Sequence, residues 1–385
     1  MEKLGKRLLV LSAAPHSYDK DAKPVSYEPY VREMNLWTEM FDEVHIYTIL
    51  RPYDESQRHK FARFKDTNVK LISLASFDAS RGILYKIGLL LSLPIVSLQL
   101  LFSLRKYDVI NIRNSGFFSA ILGIITRIFP KPTITKWAGS YMPYEGENLI
   151  TKIDRRVINW YHKRHKVLIY DKVYKKHFVN FIPALMSKAE INEAKKLAET
   201  KPPISERVEI IAIGRMYWAK NFELIFEALN LLQQDTSVDF NWHFHMIGDG
   251  DLRGKLEQMV SDYSLQERVT FYGGLPFQKA QSLLAKSHVL IMPGEKEGWP
   301  KPIAEAWAHN VFPLGANKGN VPDIIDDPNK GIAFTPTKEE LVKSIKNAHD
   351  YLSSKNESPN FIAYAENYSL ESFQEELKKI IKSVL

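Results

Sequence analysis

An α/β fold in two domains is predicted by three observations: short apolar runs alternate with longer stretches of helical period, the chain is 385 residues long, and its middle carries a charged, proline-bearing break. Alternation of this kind marks βα units around mostly parallel sheets. With 45% hydrophobic residues, the chain has enough apolar surface for two cores.

In chain order, the first half offers strands at RLLVLSA, EVHIYTI, VKLISL, DVINI and PTITKW, and the second at VEIIAIG, FHMIG, VTFYG, HVLIMP and FPLGA. The opening MEKLGKRLLVLSAAP sets basic residues before an apolar run, as a signal peptide does, but the run is short and reads as a first buried strand. Residues 83–102, ILYKIGLLLSLPIVSLQLLF, hold Lys86 as their one charge and Pro94 in the middle. A spanning helix needs about 20 apolar residues. The strand KYDVINI follows at once, so a buried helix interrupted at Pro94 is predicted, with a membrane-surface element and, behind it, a true span as the alternatives. Farther on, TKIDRRVINWYHKRHK places Trp160 and Tyr161 among Arg155, Arg156, Lys163, Arg164 and Lys166, which suits anionic lipid or a solvated helix face. Near residues 184–206 a charged helical segment gives way to Pro202 and Pro203, the expected linker between a first domain at 1–183 and a second at 207–365.

Charge divides with the domains. Residues 1–183 carry 29 Lys and Arg against 17 Asp and Glu; the remainder carries 23 against 28, for a net +7 overall. A basic half faces nucleic acid, an anionic membrane or a phosphate-bearing substrate. The acidic second half and the lack of a reader motif argue against nucleic acid. There is no cysteine, which excludes a disulfide framework and thiolate chemistry and suits a reducing, cytoplasmic compartment.

Two constellations carry chemistry. VEIIAIG ends in Gly214 and Arg215, with Lys220 five residues beyond and a helical pattern following. A guanidinium and an ammonium at a strand's C-terminal edge, beside a helix start, suit a diphosphate. After HVLIMPG comes EKEGWPKPIAEAW, with Glu297 and Glu305 in an E-x7-E spacing. Glu297 falls on a loop, Pro300 is expected to begin a helix, and Glu305 lies two turns along it. The loop acid can reach sugar hydroxyls while helix-start N–H groups meet phosphate and Glu305 accepts from ribose hydroxyls; on spacing alone, a surface helix acid and a loop acid serve equally well. The DGD at 249–251 reads as a turn rather than a metal-binding pair, since a hard cation wants more oxygen ligands.

Taken together and in order, IGRMYWAKNFELIFEAL, HMIGDGDLRGKLEQMV, VTFYGGLP, EKEGWPKPIAEAWA and GNVPDIIDDPNKGIAF resemble the donor-binding domain of GT-B glycosyltransferases of family 4, the retaining group 1 type. The resemblance covers residues 207–385. It implies two Rossmann-like domains facing each other across a cleft, with a closing helix at 366–385 packing back on the first. It assigns Arg215 and Lys220 to the donor diphosphate, Glu297 to the sugar hydroxyls and Glu305 to the ribose. Gly214, Gly248, Leu275, Gly298, Trp299 and Lys301 complete the donor side, and no metal or cofactor is implied.

Three departures qualify the resemblance. Pro300 stands where the commoner motif has glycine and removes one N–H, with Lys301 as a replacement charge. The glycine-rich loop after the first strand is missing. Where the family often has a histidine, this chain shows Trp137, Gly139 and Ser140. His16, Arg113, Trp137 and Ser140 are the candidate acceptor-side residues, with a loop or structural role as the favoured alternative for His16 and Arg113 and no catalytic histidine assigned. The expected activity is metal-independent transfer of a hexose-type sugar from a nucleotide-diphosphate sugar to a glycan or lipid-linked acceptor in cell-surface polysaccharide assembly. A peripheral position on the cytoplasmic face of an anionic membrane is a further expectation. The alternatives are a GT-B nucleotide-sugar epimerase and a non-catalytic GT-B partner subunit; an NAD oxidoreductase is disfavoured because the first βα turn lacks the glycine fingerprint.

Overall fold

The structure is a computed structural model, and the described residues are all but 1–2, 56–60, 75–81, 115, 117, 138, 140, 144–146, 295–297 and 355–359. The chain divides into two compact units, Met1–Ala184 with Gln374–Leu385, and Leu185–Phe373.

The first unit begins with β1 (Arg7–Leu11), β2 (His16–Tyr18), β3 (Pro24–Tyr27), α1 (Glu28–Thr38), β4 (Glu43–Thr48), β5 (Phe61–Arg63) and β6 (Val69–Ser73). It continues through α2 (Gly82–Ser103), β7 (Val109–Asn114), α3 (Ser119–Ile128), β8 (Thr133–Trp137), α4 (Leu149–Asn159), β9 (His165–Ile169) and β10 (Phe178–Asn180). Among the described residues the main sheet is parallel, in the order β10-β9-β8-β7-β1-β4-β6, and β2-β3-β5 form a small antiparallel sheet. Strand order reverses between β1 and β7, the doubly wound pattern.

The second unit holds α5 (Lys188–Ala198), β11 (Val208–Ile213), α6 (Glu223–Gln234), β12 (Trp242–Ile247), α7 (Arg253–Asp262), β13 (Val269–Gly273) and α8 (Phe277–Lys286). After these come β14 (Val289–Met292), α9 (Lys301–Ala308), β15 (Phe312–Ala316), α10 (Val321–Ile324), β16 (Ile332–Phe334), α11 (Lys338–Ser353), α12 (Ile362–Glu366) and α13 (Leu370–Val384). Its sheet is parallel in the order β13-β12-β11-β14-β15-β16, with the reversal between β11 and β14. β11 reads as an apolar run because both faces are covered: Ile210 and Ala212 enter the main core, and Ile211 enters a second cluster with Leu284 and Leu290.

Three expectations change. The segment expected as a linker is built into the second unit: Ser187 and Glu190 form a capping box on α5, and Ile191 and Ala194 are buried in its core. α2 runs unbroken through Pro94, and several large side chains of its second half are exposed rather than buried. The proline lies on the exposed side, where water can satisfy the carbonyl it leaves unpaired. The terminal helix starts at Leu370 rather than 366, and the boundary between the units falls within it.

In the first unit, the turn after β7 is held from below. Asp154 of α4 is fully buried and accepts a 2.7 Å hydrogen bond from Ser119 Oγ. Burial pushes its carboxyl up to about 6, against the hydrogen bonds from Ser119, Gly116 and Asn114 that favour the charged form. Because the folded-state pKa lies above the ordinary 3.8, its contribution to stability is complete below that value and is lost as pH rises through about 6. Asp154→Asn is therefore expected to raise the thermal midpoint near neutral pH and to leave it nearly unchanged at about pH 4. Equal shifts at both, measured by circular dichroism, would contradict this.

Candidate donor site

Within the second unit, pairing of Ile210 with Val289 and Ile211 with Leu290 sets the C-terminal ends of β11 and β14 side by side. Gly214 and Arg215 follow the first, and the segment from Pro293 to Lys301 follows the second. Open α/β sheets bind ligands at such a reversal because the loops on either side diverge and leave a crevice.

The loops are laced together by their backbones. The Gly214 N–H donates to the Ile247 carbonyl (3.0 Å), the Gly248 N–H to the Gly273 carbonyl (2.8 Å), and the Met216 N–H to the Asp249 carbonyl (2.9 Å). Gly248 has φ +134°, and a Cβ there would stand 1.9 Å from the Gly214 carbonyl oxygen. Only glycine permits this approach. The DGD segment is thus a structural turn: Asp249 Oδ1 accepts the Gly250 N–H (2.8 Å), and Oδ2 lies 3.5 Å from the Arg253 guanidinium. Among the described residues, no group of three or more His, Asp or Glu is placed to hold a metal.

Four cations stand at the C-terminal edge of the adjacent strands β11, β14 and β15. Arg215 is exposed, with its guanidinium carbon 6.0 Å from the Tyr217 ring centroid. Lys220 ends a 3₁₀ turn and reaches back toward the strand, its Cε 3.9 Å from where a Cβ on Gly214 would stand. Lys301 is exposed at the start of α9, and Lys318 is exposed just after β15. Lys318 escaped the sequence reading because no local pattern ties it to the other three; the strand order does. Glu305 is half-buried on α9, and Glu297 lies outside the described residues.

The start of α9 differs from expectation. Pro300 is the cap, and Lys301 is the first helical residue. Pro300 and Pro302 have no N–H, the Lys301 N–H donates to Trp299 O (2.9 Å), and the Ile303 N–H donates to Pro300 O (3.0 Å). As the chain stands, the first turn offers a dipole and the Lys301 ammonium rather than free N–H groups. Trp299 is half-buried, with its ring 4.8 Å from that of Tyr368, so it anchors the loop to the core. Gly298 is held from the other side: buried Asn320 donates its Nδ2 to the Gly298 carbonyl at 2.5 Å. Asn320 is a positioning residue the sequence reading missed, although it lies in the quoted GNVPD stretch. Leu275, after β13, is half-buried and packs against the cluster that holds Ile211, Leu284 and Leu290.

In the first unit, His16 and Arg113 come together around Tyr30: the His16 ring meets it edge-on at 4.9 Å, and the Arg113 guanidinium carbon is 5.3 Å from its centroid. His16 is fully buried, with Nδ1 2.7 Å from the Ala14 carbonyl, and burial lowers its pKa to about 4, so it is neutral at physiological pH. Arg113 and Lys136 share Glu33, each at 2.5 Å. The two cations hold the Glu33 carboxyl well below its ordinary range against the opposing effect of burial. Trp137 is buried, edge-on to Tyr141 at 6.4 Å, with the Arg155 guanidinium carbon 5.5 Å from its ring centroid, a packing position. Ser140 lies outside the described residues.

Residues 194–368, inside the second unit, match the family model described as glycosyl transferases group 1. The phosphatidylinositol N-acetylglucosaminyltransferase gpi3 protein of Schizosaccharomyces pombe is 25% identical over 179 residues, 46% of this chain and 38% of that protein, so the likeness spans well under half of the relative. The lipopolysaccharide 1,6-galactosyltransferase of Escherichia coli K12 is 25% identical over 258 residues, 58% of this chain and 71% of that one. The crystal structure of Anabaena HepE in complex with UDP and glucose superposes with a TM-score of 0.65 at 11% identity, covering 98% of this chain and 100% of the other. At that identity the likeness is one of fold: the chain has the GT-B architecture of two Rossmann-like domains.

Gly248→Ala places a methyl group against the Gly214 carbonyl in a backbone conformation that alanine rarely adopts. The expected result is a thermal midpoint lower by several degrees. Gly254→Ala in α7 meets nothing within 4 Å and should hold or slightly raise the midpoint. Equal midpoints for the two variants would show that the loops are not laced as described.

Proposed function

We propose that this chain, with its group 1 glycosyltransferase match at residues 194–368, is a retaining transferase of family 4. In this reading it moves a hexose-type sugar from a nucleotide-diphosphate sugar to a glycan or lipid-linked acceptor. The observation that carries the proposal is the convergence of Arg215, Lys220, Lys301 and Lys318 on the loops of three adjacent strands, beside the strand-order reversal.

Bond breaking at the anomeric carbon leaves negative charge on the departing diphosphate. Cations fixed before the reaction stabilise that charge without reorganisation, and this is the main means of lowering such a barrier. They also supply the charge that a divalent metal would otherwise provide, which supports metal-independent transfer. Glu305, on the helix that follows the β14 loop, is assigned to the ribose hydroxyls, and Glu297 to the donor sugar. HepE, crystallised with UDP and glucose, supports a nucleotide-sugar donor through its shared fold. The lipopolysaccharide galactosyltransferase among the relatives supports an acceptor in cell-surface polysaccharide assembly. A peripheral place on the cytoplasmic face of the membrane, where lipid-linked acceptors are displayed, completes the proposal.

The test follows release of nucleoside diphosphate from UDP-, GDP- and ADP-sugars with glycan and lipid-diphosphate acceptors. Lys220→Ala, Arg215→Ala and Glu297→Gln should each lower kcat by roughly 10²–10³-fold with the thermal midpoint held. Glu305→Gln should act mainly on the donor KM. Turnover should survive EDTA, and nuclear magnetic resonance of the product should show the donor's anomeric configuration. Near-wild-type turnover in the first three variants would overturn the donor site, inversion would overturn the retaining assignment, and isomerised donor without acceptor would establish an epimerase.

A further inference from the structure

Large apolar side chains exposed on the first unit gather on one helical layer. α3 packs against both α2 and α4. α2 exposes Leu91, Ile95, Leu98 and Phe102, spaced four, three and four residues apart along one face. The three helices lead into β7, β8 and β9, which are neighbours in the sheet, so their C-terminal ends lie in a row along one sheet edge.

Each end repeats one pattern, an exposed aromatic followed by cations. Phe102 precedes Arg105 and Lys106, Phe129 precedes Lys131, and Trp160 with Tyr161 precedes Lys163 and Arg164. The four rings are 63%, 52%, 51% and 45% exposed. Between the first two ends lies a cavity of about 600 Å³, walled by Phe102, Leu104 and Phe129, with Arg105 and Lys131 in its lining. Asp154 is the single carboxylate in the three helices, and it is buried. The nearby Asp108 accepts the Arg7 N–H at 2.9 Å.

The row is rigid. Arg127, at the end of α3, donates Nε to the Trp160 carbonyl (2.7 Å) and Nη1 to the Gly123 carbonyl (2.8 Å). A Cβ on Gly123 would stand 2.7 Å from Val157 Cγ1, so α3 and α4 touch there.

We propose that this row of helix ends is the face the chain lays on an anionic phospholipid bilayer, with the cavity between α2 and α3 receiving an acidic lipid headgroup. Aromatic rings favour the headgroup depth, where one side is apolar and the other wet. Lysines and arginines beside them add attraction to anionic lipid, and they outnumber Asp108, among the described residues the one exposed acid beside these helix ends. That charge pattern favours a lipid surface over a second copy of this basic unit, which would repel it. The inference deepens the membrane part of the proposed function and rests on that reading for its biological setting; binding itself requires neither donor nor acceptor.

The test is co-sedimentation of the full chain with phosphatidylcholine vesicles, with and without phosphatidylglycerol, at low salt. Binding should require the anionic lipid and fall with added salt. Arg105→Glu with Lys106→Glu, both exposed, and separately Trp160→Ala with Tyr161→Ala, should each weaken it at least tenfold with thermal midpoints held. Lys70→Glu on β6, the far edge strand of the same sheet, should leave it unchanged. Equal binding to neutral vesicles, indifference to the variants, or variant-sensitive self-association in place of vesicle binding would overturn the inference. Transfer to a soluble acceptor, measured on the same preparations, fails only if the transferase reading fails, so the two are separable.

Discussion

The parallel pairing of β11 with β14 is the constraint on which the candidate donor site depends. These strands are separated in sequence by two full βα units, yet Ile211 lies against Leu290 in the sheet. Because the chain winds outward in opposite directions from this pair, the loops that follow them belong to opposite halves of the sheet, the arrangement at which open α/β sheets bind ligands. Every donor-side residue proposed here is placed by that reversal or by the loops laced against it. The close approach of Gly248 to the Gly214 carbonyl holds the β11 and β12 loops in contact, and Asn320 fixes the Gly298 carbonyl from the β15 side.

Electrostatics are local rather than global. The second half of the chain is acidic in sum, yet four cations follow three adjacent strands at one edge of its sheet, so net charge alone does not report the charge there. The first unit solves a different problem with the same residue types. Glu33 of α1 binds Arg113 of β7 and Lys136 of β8. Removing one member of such a buried set is costly, on the order of 3–5 kcal/mol, because the remaining charges lose compensation. The cations that follow β11, β14 and β15 instead include Arg215, Lys301 and Lys318 at the surface, where solvent and any charged ligand can reach them.

Much of this was legible in the sequence. The strand runs, the two-domain division and the Gly214 to Lys220 element follow from periodicity and from residues that sit next to one another. What escaped depends on tertiary context. Nothing local says that Pro94 faces outward, and so α2 could not be read as continuous. The capping box at Ser187 and Glu190 was visible, but its helix read as linker because Ile191 and Ala194 reveal a buried face only once α8, α9 and α12 are beside them. The packing of Trp299 against Tyr368, 69 residues away in the chain, has no local signal either. Asn320 and Lys318 join the site through strand order alone.

The most direct measurement of the central claim is a crystal structure of the full chain with a bound nucleoside diphosphate. The phosphates should lie over the Gly214 to Lys220 loop, within hydrogen-bonding reach of Arg215 or Lys220, with the ribose toward Glu305. A diphosphate bound to any other edge of the second unit, or a ribose away from α9, would contradict it.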